Sequence, residues 1–214
     1  MDSVTGVGVL DKSVLVVRSV AAGPKTLNEL QAATGLPRAT AHRLAAALVV
    51  HGMLRRDADG RFDLGLDLAA LGRVAASRFP LGVRSLPALR ALRDATGESV
   101  QLFVVDGDQR RCVVSLQSPH GLQWIVPEGV LLPLDRGSAG RVLSGEHSPA
   151  GWVESIEERE AGVASVSAAV RDDDGAIVAA VSVSGPVERL SRKPGERLGP
   201  AVEGAALRIA DALH

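Results

Sequence analysis

The chain has 214 residues, enough for one large domain or two small ones, and 46% are apolar, which reads as a globular, soluble chain with an ordinary buried core. No uninterrupted apolar run reaches the roughly 18 residues of a membrane span. The opening Met1-Asp2-Ser3 has neither a basic leader nor an apolar signal core, so the expectation is a cytoplasmic protein with no membrane partner.

The net charge of −1 argues weakly against nucleic acid, but it is unevenly spread. Residues 1–64 hold eight Lys/Arg against six Asp/Glu, residues 65–214 hold sixteen against nineteen, and residues 36–61 hold five Arg against two Asp. A small basic patch beside an acidic body fits one face docking on phosphate, and fits equally a solvated face with ordinary charges. The single cysteine, Cys112, excludes an internal disulfide and a Cys-based zinc site, and reads as a small buried hydrophobe in a strand. No cofactor and no metal are expected.

In chain order, Leu10, Val14, Val17 and Ala21 recur at helical spacing, and Gly23-Pro24 ends that helix. Thr26-Leu27-Asn28-Glu29 is a capping box opening a short helix with Leu27 and Leu30 inward, which stops at Thr34-Gly35. Leu36-Pro37 restarts helix, with Pro37 expected at the first helical position. Over residues 38–51 the apolar face is Ala41, Leu44, Ala45 and Leu48, which turns Arg38, Ala39, Thr40, His42, Arg43 and Ala46 outward. Small residues among Arg, Thr and His near a helix N-terminus suit a major-groove reader: the helix approaches closely and Arg can fork onto guanine. His42 taken alone reads equally as a base contact or a solvated position. Residues 53–64 read as a hairpin turned by Asp57-Ala58-Asp59-Gly60, a wing placed to touch phosphate with Arg55, Arg56 or Arg61. A helix with Leu66, Leu68, Ala69, Leu71 and Ala75 runs to Arg78, and Phe79-Pro80 breaks it.

These elements divide the chain into a winged helix-turn-helix DNA-binding domain over 1–64, a linker helix over 65–79 and a second domain over 80–214. The second opens with a helix over 81–96 carrying Leu86, Leu89 and Leu92. Strands are expected over 99–105, 111–116, 123–126, 163–170 and 176–184, and a final helix over 200–213. Helices flanking an antiparallel sheet make this half, and the fold class, α+β.

The whole chain resembles the IclR family of bacterial transcription factors. Thr34-Gly35-Leu36-Pro37-Arg38-Ala39-Thr40-Ala41-His42-Arg43-Leu44 is similar to the family's recognition core. Gly137-Ser138-Ala139-Gly140-Arg141-Val142-Leu143 is similar to its helix-opening motif. Glu158-Arg159-Glu160-Ala161-Gly162-Val163 and Val181-Ser182-Val183-Ser184-Gly185-Pro186 are similar to its C-terminal signature. Residues 6–12 and 162–168 look most like the actinobacterial branch that controls amino-acid biosynthesis, including leucine genes. The resemblance implies a GAF-like effector-binding and oligomerisation domain, a homodimer or dimer of dimers, a double-stranded DNA operator and a small organic acid or amino-acid effector. It also implies DNA contacts from Thr26, Arg38, Ala39, Thr40, His42, Arg43, Arg55 and Arg61.

In the family the effector carboxylate is capped by a helix start. Carried over residue by residue, Gly137, Ser138 and Ala139 become backbone donors, Ser165, Ser182 and Ser184 lie on facing strands, and Val163 is an apolar wall. Ser182 and Ser184, two apart, read equally as one strand face bonded to its neighbours. Ser155 stands where some members place an Asp. Residues 144–151 are shorter than the family's usual segment before Trp152, so part of the pocket wall is expected to be missing, with Trp124 and Trp152 reshaping what remains.

An enzyme built on the second domain is the rival class, and a small-molecule sensor without operator binding is a third. No nucleophile elbow, phosphate loop or His-Glu-x-x-His occurs, and His42, His51, His120, His147 and His214 form no close ligand pair. The run over 154–160 holds four carboxylates, of which Glu157, Glu158 and Glu160 beside Arg159 read as a solvated surface turn rather than acid-base machinery.

Overall fold

The computed structural model describes residues 5–78 and 80–213; the Met1-Asp2-Ser3 opening, His214 and the expected break at Phe79 lie outside the described residues. The chain divides into two compact units, Met1–Arg78 and Phe79–His214.

The first unit begins with α1 (Gly8–Ala21). Its buried face is Val16 and Val20, whereas Leu10 and Val14 of the helical stripe are exposed. The helix carries two apolar stripes about a third of a turn apart, and only packing decides between them. Val16 and Val20 win because they meet Leu30, Ala41, Leu44, Leu54 and Phe62 in one core. The Thr26 hydroxyl accepts from the Glu29 amide at 3.3 Å and the Glu29 carboxylate accepts from the Thr26 amide at 2.7 Å, opening α2 (Leu27–Thr34). Gly35, at φ +67°, closes it in a left-handed conformation that favours glycine. Pro37 is extended, so α3 (Arg38–Val50) starts one residue later than expected.

Strands β1 (Leu54–Arg56) and β2 (Phe62–Leu64) form the hairpin, with Leu54 opposite Leu64 and Arg56 opposite Phe62. Asp57 shapes its turn by accepting from the Asp59 and Arg61 amides. Lys25 exchanges both backbone hydrogen bonds with Phe62, at 2.9 and 2.7 Å, which ties the hairpin to the chain entering α2. A side chain at Gly65 would collide with the Gly52 carbonyl, so a glycine lets the chain leave the hairpin and enter α4 (Leu66–Arg78). Leu66, Leu71 and Val74 on α4 are exposed.

The second unit runs α5 (Leu81–Thr96), β3 (Ser99–Asp106), β4 (Gln109–Leu116), β5 (Leu131–Pro133), α6 (Ser138–Leu143), β6 (Val153–Ile156), β7 (Val163–Arg171), β8 (Ile177–Pro186), α7 (Val187–Leu190) and α8 (Pro194–Leu213). The strands form one antiparallel sheet ordered β5-β4-β3-β8-β7-β6. Because strand side chains alternate, Val100, Leu102, Val166, Val170, Val181 and Val183 face one way and pack with Leu89 and Leu92 of α5 and Leu198, Val202 and Ile209 of α8. The alternate residues carry hydroxyls and amides toward α6. Ser155, Ser165 and Ser184 line up across β6, β7 and β8, and Ser167, Ser182 and Gln101 across β7, β8 and β3.

Three expectations change here. Residues 123–126 form no strand; only Val126 is deeply buried among them, and the edge strand is the three-residue β5. The strand β6, paired with β7, is not among the expected strands. The last helix starts at Pro194, not Pro200, because Glu154 accepts from the Gly195 amide at 2.7 Å and caps the early start. Pro200 lies inside α8 on an exposed face, where the carbonyl it leaves free meets solvent. Trp152 lies against Gly195 and Gly199, where any side chain would meet its indole.

Candidate functional site

The outward face of α3 presents Arg38, Ala39, His42 and Arg43 fully exposed and Thr40 partly so. The basic residues divide by what already holds them. Arg38 is bonded to the Asn28 side chain, and Arg55 to the Asp63 carboxylate and the Leu64 carbonyl. Arg56 reaches the Gly60 carbonyl and lies over the Phe62 ring at 3.7 Å. Arg61 grips both oxygens of Glu29, at 2.9 and 2.8 Å, so it is tied to the carboxylate that caps α2, and the Thr26 hydroxyl is taken by the same cap. Arg61 and the Thr26 amide hold the Glu29 carboxyl down to about 2, from an ordinary value of 4.5. His42 and Arg43 have no hydrogen-bond or ion-pair partner among the described residues. Exposed ion pairs such as Arg55–Asp63 contribute only about 0–1 kcal/mol, so a phosphate can replace the carboxylate. Releasing Arg61 also disturbs a helix cap.

In the second unit Gly137, Ser138, Ala139, Ser155, Val163, Ser165, Ser182 and Ser184 all line one cavity of about 30 Å³. That volume suits roughly one or two water-sized groups. The Ser138 hydroxyl, 1% exposed, shares 2.7 Å hydrogen bonds with the Ser165 and Ser167 hydroxyls, and Ser184 donates to Gln101 Oε1 at 2.9 Å. One donor of the helix start is already engaged. Gly137 donates its amide to Glu158 at 3.0 Å, and the other Glu158 oxygen accepts from Arg141 at 2.8 Å. The exposed Glu158 of the acidic run therefore holds one of the three donors assigned to a ligand, through a contact 21 residues away in sequence.

Six further wall residues escaped sequence reasoning: Gln101, Phe103, Arg110, Val126, Arg159 and Glu160. Arg110 is 2% exposed, donates to the Pro133 and Arg136 carbonyls and faces the Phe103 ring at 5.4 Å. Burial, reinforced by the charge of Arg159, pulls its pKa down to about 10. Burial also lowers that of Arg159, whose guanidinium lies 5.2 Å from the Trp124 ring. The available signal was alternation: Arg110 shares its buried strand face with Cys112, whereas a bulge turns Val114 to the other side of the sheet. Cys112 itself is fully buried with its thiol pushed up to about 12, so it is not poised as a thiolate.

The segment before Trp152 does not line this cavity. Glu146, His147, Ser148, Gly151 and Trp152 border a second cavity of about 210 Å³ beside α8, with Glu203 and Leu207. Val126 and Arg159 line the first. Among the described residues no group of His, Cys, Asp or Glu could hold a metal ion, and no helix is long and apolar enough to cross a membrane.

Comparison with known proteins agrees with both halves. Residues 9–58 match the IclR helix-turn-helix domain and residues 146–211 the C-terminal domain of the bacterial transcriptional regulator IclR. The chain is 27% identical to the glycerol operon regulatory protein of Streptomyces griseus, covering 94% of each. It is 24% identical to the transcriptional repressor IclR of Escherichia coli K12, covering 87% of this chain and 82% of that one. An IclR homolog from Microbacterium hydrocarbonoxydans, solved in complex with 4-hydroxybenzoate, matches with a TM-score of 0.79 at 22% identity, covering 96% of this chain and 98% of that one. These relatives are regulators, not enzymes. Each unit carries the family's own segment in the family's order, and the chain belongs to the IclR family of DNA-binding bacterial transcriptional regulators.

Proposed function

We propose that this regulator works in the cytoplasm as a homodimer or dimer of dimers, with two α3 helices in successive major grooves of a near-palindromic operator, and that a small organic acid in the Ser138/Ser182 cavity changes operator affinity. One observation carries this: Arg43 and His42 stand exposed and unengaged beside Ala39 and Ala46, so the helix can approach base edges and Arg43 can fork onto a guanine. Thr26, Arg38, Thr40, Arg55 and Arg61 then serve as backbone-phosphate contacts that set register. Exposed Leu10 and Val14 on α1 and Leu66, Leu71 and Val74 on α4 favour a second copy as cover for those faces.

The second unit acts as a GAF-like sensor. Its cavity brings eight polar or small residues together with two guanidinium groups, which suits an acid, and the Microbacterium relative was solved with one. At about 30 Å³ the cavity widens to admit anything larger than a few atoms. Repression is the expected direction, as in the repressor names of the Escherichia coli relatives. The sequence over 6–12 and 162–168 further favours operators of amino-acid biosynthetic genes, leucine among them.

Fluorescence anisotropy of labelled DNA from the chain's own upstream region and from leucine biosynthetic promoters, against scrambled controls at two salt concentrations, tests the proposal. Tight, salt-weakened binding to a native fragment alone supports a specific regulator. Equal weak binding to all fragments, with and without added acids, removes it.

A further inference from the structure

We infer that the second cavity, of about 210 Å³ beside α8, is a separate binding site for an α-amino acid with an apolar side chain, held as the zwitterion between Glu203 and Arg171. It lies where the end of α6, the segment after it, β6, β7 and α8 meet, and it shares no lining residue with the cavity that holds Ser138 and Ser182. Its two unanswered charges are of opposite sign. Glu203 is half-buried and has no hydrogen-bond or ion-pair partner among the described residues. Its carboxylate lies against Gly151, where an added Cβ would come within 2.1 Å of one oxygen, so a glycine makes room for it. Arg171, at the end of β7, donates to the Gly175 carbonyl at 2.8 Å and meets no carboxylate among the described residues. The other acid on the wall, Glu146, is already paired with Arg141. Between these charges the wall is apolar, with Val142, Trp152, Ala206, Leu207 and Ala210, and Leu207 is 61% exposed.

Each part of that wall answers to one part of the ligand. An ammonium group brings Glu203 three donors and a countercharge, and a carboxylate accepts two parallel hydrogen bonds from a guanidinium such as Arg171. Glu203 and Arg171 line one space without pairing with each other, so a molecule carrying both signs completes both, whereas a simple amine or a simple acid leaves one of them unanswered. An aliphatic side chain then covers Leu207 and lies against the Trp152 ring. A cavity of roughly 150 Å³ is enough to seat benzene. At about 210 Å³ this one has room for a charged head as well.

Isothermal titration of the full-length protein with L-valine, L-leucine and L-methionine, each against the amine left when its carboxylate is removed, tests the site. At least one amino acid is expected to bind about tenfold or more tightly than its amine, the amine lacking the group that Arg171 would hold. Glu203→Gln and Arg171→Gln are each expected to weaken that amino acid by about tenfold or more. Glu203 is half-buried and Arg171 exposed, so both substitutions are expected to leave the fold intact, and melting by circular dichroism checks this. Absence of binding by all three amino acids, or an amine that binds as tightly as its amino acid, overturns the inference. So does amino-acid binding that either substitution leaves unchanged, which would put the ligand elsewhere in the chain. None of these outcomes alters the acid effector proposed for the other cavity, whose lining includes neither residue.

Discussion

Arg43 and Arg55 are both exposed arginines of the first unit, yet their surroundings set different tasks for them. Arg43 lies one turn into α3 with nothing to let go of, so Arg43→Ala is expected to remove about 1–3 kcal/mol of discrimination at one operator position while binding to scrambled DNA changes little. On the proposed reading, Arg55 exchanges Asp63 for a phosphate. Arg55→Ala is expected to weaken native and scrambled DNA alike and to lower the slope of log affinity against log salt by about one. Anisotropy titrations over a salt series separate the two; equal behaviour of the variants would refute the division of labour. Glu29 makes a third case. Its folded pKa, about 2, lies below the ordinary 4.5, so the tie it forms between the α2 cap and Arg61 is complete above pH 4.5 and is lost as pH falls toward 2. A carboxyl titration of Glu29 followed by NMR should show this depressed midpoint, and Arg61→Ala should raise it.

At the scale of elements, what the sequence made legible was what is local. Thr26 with Glu29, Gly35, and the Asp57–Gly60 turn are signals read within four residues, and each element they bound stands where expected. The face of α1 was not legible, because choosing between Leu10/Val14 and Val16/Val20 requires knowing what packs above the helix. The serine positions of the cavity were legible through the family resemblance alone, since their alternation reads equally as one strand face bonded to its neighbours. Arg110 was not, since a guanidinium in a strand reads as surface until the sheet is closed over it, and Glu158 was not, since its partner Gly137 is remote in sequence. The start of α8 escaped for the same reason: its cap comes from β6. Gly199 shows how tertiary packing reverses a local rule. Glycine in a helix interior ordinarily costs about 1 kcal/mol relative to alanine, so Gly199→Ala would stabilise an isolated helix. Here the added methyl would enter the Trp152 indole, and a loss of about 1–3 kcal/mol is expected in denaturant unfolding. Pairing it with Trp152→Leu should recover part of that loss in a double-mutant cycle.

For the whole molecule, the two ends of the chain differ in sign as well as in fold: residues 1–64 carry a net +2 and residues 65–214 a net −3. The basic end suits DNA, and the acidic remainder discourages phosphate from binding elsewhere. Communication between operator and cavity is expected to change operator affinity about 5- to 150-fold, the range of about 1–3 kcal/mol of coupling. Linkage requires the operator to change acid affinity by the same factor. Ser184→Ala, which frees Gln101 Oε1, is expected to weaken the acid while leaving operator affinity in its absence unchanged, checked by calorimetry and anisotropy on one preparation. The placement of the indoles has a practical consequence for such work. Trp124 faces Arg159 at the cavity wall and Trp152 lies in the glycine groove of α8, while the chain has two Trp and no Tyr. Intrinsic emission excited at the red edge of protein absorption therefore comes from the second unit alone. The DNA-reading unit is optically silent, so a quenching signal in a mixture of protein, acid and operator reports the sensor, and any response to DNA in that channel is a direct view of one unit informing the other.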